Sequence, residues 1–205
     1  MKKYQTILAD PPWPMDFIKL KRRPNQVNMP YPTMTMQSIR NVGIDLRPLV
    51  DNNCGLFLWT THKYLPDAFG IVSAWGFKYH CCLTWDKTNG LSLCGFTRKT
   101  EFLIYAYRGR INVNQRGQFI PTLFTEKLTT HSTKPSILYE ILERNTPEPR
   151  LELFARNKRE GWDCWGNEVD SDIELEIPTP KPTVNGIYKT LPEVNYLSEY
   201  VNGGK

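Results

Sequence analysis

Short apolar runs alternate with polar, proline-bearing stretches along the first 168 residues, and each run is short enough to be one buried strand or one helix face. Thr6-Ile7-Leu8-Ala9 is apolar and is stopped by Asp10 and two prolines, which predicts a buried strand running into a loop. Residues 14–32 keep no hydrophobic period. They carry Lys19, Lys21, Arg22 and Arg23 among Pro14, Pro24, Pro30 and Pro32, which predicts a mobile basic loop. Thr35 to Val42 reads as a short helix capped by Thr33 or Thr35. Gly55 to Thr61 reads as a strand. Tyr64 to Trp75 has helical spacing at Leu65, Phe69 and Val72 and is closed by Gly76. Lys78 to Trp85 and Glu101 to Tyr107 are further strands, and the polar, glycine-bearing stretch Asp86 to Lys99 predicts a second loop. Pro135 to Asn145 places Ile137, Leu138, Ile141 and Leu142 on one helical face, and Arg150 to Ala155 is a final strand.

Strands alternating with helices predict an α/β domain around a largely parallel sheet. After Glu168 the character changes. Asp170, Asp172, Glu174 and Glu176 precede Pro178, Pro180 and Pro182, as in an acidic, proline-stiffened linker. The expected division is a domain over 1–168 and an extension over 169–205.

Composition narrows the class without naming the chemistry. The 205 residues are 40% hydrophobic and 23% charged, a globular composition, and a net charge of +5 leans only mildly towards polyanions. Five cysteines (Cys54, Cys81, Cys82, Cys94, Cys164) form no C-x-x-C pair, and with His62, His80 and His131 they complete no zinc-ligand pattern, so no metal is expected. Adjacent Cys81 and Cys82 predict alternate burial in a strand. Reduced thiols and the absence of a signal-like or membrane-spanning stretch predict a cytoplasmic protein.

Asp10-Pro11-Pro12-Trp13 is the string that carries chemistry. The exocyclic amine of adenine is a poor nucleophile, because its lone pair is delocalised into the ring. An aspartate can accept one of its N–H groups while a rigidly held backbone carbonyl accepts the other. Two prolines suit that second task, since each fixes φ and removes a competing donor. A neighbouring aromatic ring offers a stacking face for an extruded base. A strand followed by a proline-rich turn would be the plain structural reading. Average residue usage, however, would produce this string in such a chain only on the order of once in a few thousand cases.

The string does not stand alone. With Tyr31-Pro32-Thr33-Met34, Leu56 to Thr61, Leu83 to Asn89, His131 to Pro135, Glu152 to Arg156, Gly161-Trp162 and Gly166-Asn167-Glu168, the chain resembles the MT-A70 family of adenine N6-methyltransferases over about residues 4 to 168. The resemblance implies a Rossmann-like methyltransferase fold of permuted order, with the catalytic motif before the cofactor motifs, and S-adenosylmethionine as cofactor.

Residue roles follow from the same resemblance. Asp10 and Pro11 would hold the amine, Pro12 would shape the turn, and Trp13 would wall the base pocket. Tyr31 would close over the base, and Trp85, with Lys87 in the same segment, would border it from the second loop. Asp10, Lys134, Glu152, Phe154, Arg156, Asn167 and Glu168 would hold the cofactor, with Glu152 on the ribose hydroxyls, an expectation that also has a physical basis. Independently of the resemblance, the basic loop around Lys19 to Arg23, with Lys21, Arg22 and Arg23, would grip phosphate. Other readings stay open. Lys134 could be a solvated residue at a helix start, Lys158 and Arg159 read as ordinary surface charge, His131 as a turn residue, and Trp59 and Trp75 as core. The glycine-rich F-x-G-x-G cofactor motif of general DNA methyltransferases is absent, and Glu152 to Arg156 stands in its place.

The expected function is therefore methyl transfer from S-adenosylmethionine to the adenine N6 amine, on DNA in preference to RNA. A catalytically silent nucleic-acid-binding subunit is the rival from another class. The family often works in pairs, so a homodimer or heterodimer is implied.

Overall fold

The computed structural model describes residues 2–14, 33–93, 95–113, 119–127 and 134–176, with 89–93 as backbone only. Seven strands form one sheet: β1 (Tyr4–Ala9), β2 (Val50–Thr60), β3 (Lys78–Leu93), β4 (Phe96–Arg108), β5 (Leu123–Thr125), β6 (Arg150–Leu153) and β7 (Trp162–Trp165). Their spatial order is β5-β3-β4-β2-β1-β6-β7. β4 alone runs against its neighbours, and every other pairing is parallel. This is a mostly parallel, Rossmann-like sheet, as expected from the sequence.

Both faces are covered, so the central strands are apolar on both sides rather than alternating. On one face, helices α1 (Met36–Leu46) and α2 (Leu65–Ala74) bury Ile39, Val42, Leu46, Ala68, Ile71 and Val72 against Leu56, Leu58, Ile104, Ala106, Leu151 and Leu153. On the other, α3 (Ser136–Asn145) buries Leu138 and Leu142 with Leu8, Phe57, Trp59, Leu103 and Trp85. Each fully buried aliphatic side chain stabilises by about 1.5–3 kcal/mol, so tertiary burial rather than helix propensity holds these short helices. The expected alternation at Cys81 and Cys82 is present, since they pack against opposite clusters. Trp75 is core, as read from the sequence, and its Nε1 donates to the Ile39 carbonyl.

Helix starts follow local chemistry. Thr35 caps α1, its hydroxyl accepting from the Ser38 N–H at 3.0 Å. α3 is capped from outside: the Glu126 carboxylate accepts from the Ser136 and Ile137 N–H groups at 2.9 and 3.1 Å, a favourable anion at a helix N-terminus. That contact fixes where Lys134 and Pro135 enter the helix.

Three features differ from the sequence expectation. Asp86 to Lys99 is not a loop. β3 and β4 continue through most of it as a two-stranded arm, with a register shift between Asp86 and Leu91 absorbing its irregular sequence. β5 and β7, of three and four residues, are too short to show a periodicity, and they exist because β3 and β6 offer paired edges. Residues 170–176 return to the sheet edge. Asp172 accepts from the Cys164 N–H at 2.9 Å, and Ile173 and Leu175 pack against the core, so this acidic stretch does not stand off as a linker. Among the described residues no helix is long and apolar enough to cross a membrane.

Candidate active site

Parallel strands β1 and β6 end side by side, with Ala9 paired to Leu153, so Asp10 and Phe154 leave the sheet together at its carboxyl edge. Open α/β sheets place ligands at that edge. Here a cleft of about 280 Å³ is lined by Asp10, Trp59, Lys134, Tyr139, Glu152 and Phe154, and by the 156–159 segment. Five of the seven residues expected to bind cofactor (Asp10, Lys134, Glu152, Phe154 and Arg156) therefore converge in one cavity from three distant parts of the chain.

The Asp-Pro-Pro-Trp turn is rigidly braced. The Asp10 N–H donates to the Leu153 carbonyl at 3.4 Å, the Trp13 N–H to the Pro11 carbonyl at 2.8 Å, and the Met34 N–H to the Pro12 carbonyl at 2.8 Å. A carbonyl accepts two hydrogen bonds, so both proline carbonyls are oriented yet keep accepting capacity. Trp13 is 7% exposed and stacks on Tyr64 at 5.4 Å, while its Nε1 donates to the Trp59 carbonyl at 3.1 Å. Its indole props the turn and is not among the described residues lining the cleft.

An alternating chain of charges grips the motif. Lys134 Nζ is 3.0 Å from Asp10 Oδ2 and 3.2 Å from Glu101 Oε2, and Lys87 Nζ is 3.1 Å from Glu101 Oε1. Lys134 also lies over the Trp59 ring at 5.0 Å. Burial pulls the Lys134 ammonium down, but Asp10 and Glu101 outweigh it and leave its pKa raised. Burial likewise pushes Glu101 up, yet Lys134 and Lys87 prevail and hold it below the usual carboxylate range. Lys134 is thus no solvated helix-start residue.

Glu152 sits differently. Burial pushes its carboxyl up to about 7, with the nearby Asp10 carboxylate adding to the rise while a Tyr139 hydrogen bond and Arg159 pull the other way. The Tyr139 hydroxyl donates to Glu152 Oε1 at 2.8 Å, and its own pKa is raised by burial and then by Glu152. Arg159 lies over the Tyr139 ring at 4.5 Å and forks onto Glu143 at 2.5 and 3.1 Å, while Trp162 Nε1 donates to the same Glu143 at 3.0 Å. Glu152 is therefore held in place, yet it retains acceptor capacity towards the cleft.

Phe154 adopts φ 63°, a left-handed backbone that is unusual for an aromatic residue and concentrated at functional sites. It turns the chain sharply out of β6 and sets the ring against the cleft, edge-on to Trp165 at 5.4 Å. Arg156 lines the cleft and faces Glu168 at 3.8 Å, whereas Asn167 and Glu168 are not among its lining residues.

Trp85 does not border the cleft from a loop. It lies in β3, 1% exposed, edge-on to Trp59, and its Nε1 donates to the Glu126 carbonyl at 2.8 Å. Its neighbour Lys87 is taken up by Glu101. Tyr31, Lys21, Arg22 and Arg23 lie outside the described residues, as do Lys19 and His131. Sequence reasoning missed Glu101, Tyr139 and Glu143. Glu101 had a faint signal, a lone acid opening an apolar strand. Arg159 read as surface charge but braces the site, and Trp59 read as core but also floors the cleft.

An α/β sheet of this order, with a ligand cleft outside its carboxyl edge, has the architecture of Rossmann-like methyltransferases. The MT-A70 family profile matches residues 4–168, and the chain belongs to that family of S-adenosylmethionine-dependent methyltransferases. Among its relatives, the type II methyltransferase M.MunI of a Mycoplasma species is 29% identical over 195 residues, covering 87% of this chain and 82% of that protein. The N(6)-adenosine-methyltransferase subunit METTL3 of Danio rerio is 28% identical over 179 residues, covering 82% of this chain but 28% of that protein. The N6-methyladenosine RNA methyltransferase MTA1 of Pyricularia oryzae is 28% identical over 189 residues, covering 81% of this chain and 47% of that protein.

Proposed function

We propose that the protein transfers a methyl group from S-adenosylmethionine to the N6 amine of adenine in DNA. The observation that carries this reading is the convergence of Asp10, Lys134 and Glu152 in one cleft beside the rigid diproline turn.

The residues fit the donor. Burial, with the Asp10 carboxylate adding to it, pushes the Glu152 carboxyl up to about 7. A ligand bringing a positive centre and hydroxyl donors would offset that rise, with Glu152 accepting from the ribose diol and Phe154 walling the apolar part. When bound, S-adenosylmethionine supplies an electrophilic methyl group.

The chain's own residues do the rest. Lys134 occupies Asp10 Oδ2, which leaves Oδ1 to accept one amine N–H. The braced proline carbonyl accepts the other. Both acceptors draw the amine nitrogen towards a tetrahedral shape, and because they are preorganised no rearrangement is needed at the moment of reaction. DNA is favoured over RNA because the alignment with a type II methyltransferase runs through 87% of this chain and 82% of that protein. Incubation with DNA and with RNA in the presence of labelled donor, followed by digestion to nucleosides, tests this. N6-methyladenine is expected from DNA. Its appearance from RNA alone, or from neither, overturns the reading.

A further inference from the structure

The β3–β4 arm rises from the carboxyl edge of the sheet, beside the cleft. β2 stops at Thr60, opposite Phe102, and β5 stops at Thr125, opposite Asp86. Past that level, among the described residues, β3 and β4 pair only with each other, down to Leu93 and Phe96. At about 3.3 Å per residue, Phe96 to Thr100 reach roughly 15 Å beyond the sheet. A two-stranded ribbon is marginally stable alone in water, so a surface that holds one in place is expected.

Side chains alternate along β4, so Phe96, Arg98, Thr100 and Phe102 share one face of the arm, and Lys99 and Glu101 share the other. At the base, His62 locks the first row down. Its Nε2 is 2.9 Å from Thr100 Oγ1, and its ring stands edge-on to Phe102 at 4.7 Å. Burial, with Arg98 and Lys87 nearby, lowers the His62 pKa, so this imidazole is neutral while its neighbours are cationic. Arg98 and Lys99 are exposed, and neither pairs with a carboxylate among the described residues. Glu101 is already held by two lysines, and Asp86 accepts from the Thr88 N–H. Phe96 is 73% exposed.

The outward surface is thus cationic on both faces with an aromatic ring at its end, set beside the turn that would receive an extruded adenine. Basic side chains with an interleaved aromatic suit a nucleic-acid backbone, and a two-stranded ribbon fits the width of a major groove. A second copy of the chain suits it poorly, since arm against arm would set like charges together.

We propose that the β3–β4 arm is a DNA-binding element, with Arg98 and Lys99 on phosphates flanking the target adenine and Phe96 packed against a sugar or base. This rests on the DNA methyltransferase reading. The test is fluorescence anisotropy with a labelled, adenine-containing DNA duplex across a salt series, using wild type, R98A/K99A and F96A. The double variant should bind about tenfold more weakly, with a salt slope shallower by about one to two units. F96A should weaken binding with the slope unchanged. Calorimetry with S-adenosylmethionine should give the wild-type affinity for both, showing that the cleft is intact. Unchanged duplex binding and slope overturn the proposal, and so does loss of an oligomer on sedimentation with duplex affinity kept, which would make the arm a subunit contact. Binding is read without turnover, so a failure to methylate counts against the proposed function alone.

Discussion

Lys134 Nζ sits 3.0 Å from Asp10 Oδ2, so the residue just before the cap of α3 secures the motif that follows β1. Glu101 steadies the same ammonium from β4 at 3.2 Å. Three elements remote in sequence therefore hold one carboxylate in a fixed orientation.

Asp10→Asn keeps the shape of the turn and removes the charge. Its kcat should fall by at least about 10²-fold, comparable to removal of a preorganised polar group at a reacting centre, with little change in melting temperature. Full activity in a labelled-methyl assay would end the amine-holding role for Asp10.

Lys134→Met removes the cation between Asp10 and Glu101 and leaves Glu101 with Lys87 alone. Stability at pH 7 should drop by on the order of 2 kcal/mol, below the range for a fully buried pair because these side chains keep partial solvent contact. In wild type, Glu101 titrates below its ordinary 4.5, so its stabilisation is present above that value and is lost as pH falls through the lower folded value. In the variant the carboxylates repel, so stability should rise as pH falls from 7 to 5. Urea denaturation at both pH values reads the sign.

Glu152 provides a pH signature with the opposite sense. Its folded value of about 7 lies above the ordinary 4.5, so its contribution to stability is full below about 4.5 and is lost as pH rises through 7. A ligand diol needs the ionised form. Affinity for S-adenosylmethionine should therefore weaken by up to about tenfold per pH unit below 7 and level off above it. Glu152→Gln should flatten that profile. Tyr139→Phe should displace it, since the hydroxyl hydrogen-bonds to Glu152 at 2.8 Å. Calorimetry across pH 5.5 to 8.5 measures all three, and an unchanged profile in Glu152→Gln would remove this carboxylate from the binding site.

Gly166 lies where two backbone segments touch. A Cβ there would fall 2.0 Å from the Ala155 carbonyl oxygen and 2.8 Å from its nitrogen, and neither atom belongs to a movable side chain. The Ala155 N–H also donates to the Trp165 carbonyl at 3.0 Å, so separating the segments breaks a bond. Gly166→Ala should cost about 2–4 kcal/mol, a large effect for a one-carbon change. Thermal unfolding checks it, and a shift under about 2 °C would refute the close approach.

Local information accounts for what the sequence by itself determined. Apolar runs at Thr6 to Ala9 and Gly55 to Thr61 can only be buried strands, Thr35 carries its own capping hydroxyl, and Asp-Pro-Pro-Trp specifies a rigid acid-bearing turn through φ restriction alone. Family likeness in ordered motifs added Lys134 and Glu152 as site residues. What only the tertiary structure decided depends on side chains meeting from distant segments. Glu101 became part of the site because β4 lies two strands from β1, and Tyr139 because α3 packs over β6. Arg159 became a brace because the turn after Phe154 brings it to Glu143. Trp85 read as a pocket wall in a loop, yet it lies buried in β3, because a large ring in a strand gains more from the core than from solvent. The arm read as a loop because β-pairing of polar strands leaves no apolar period, and its partner strand is visible only once the chain has folded.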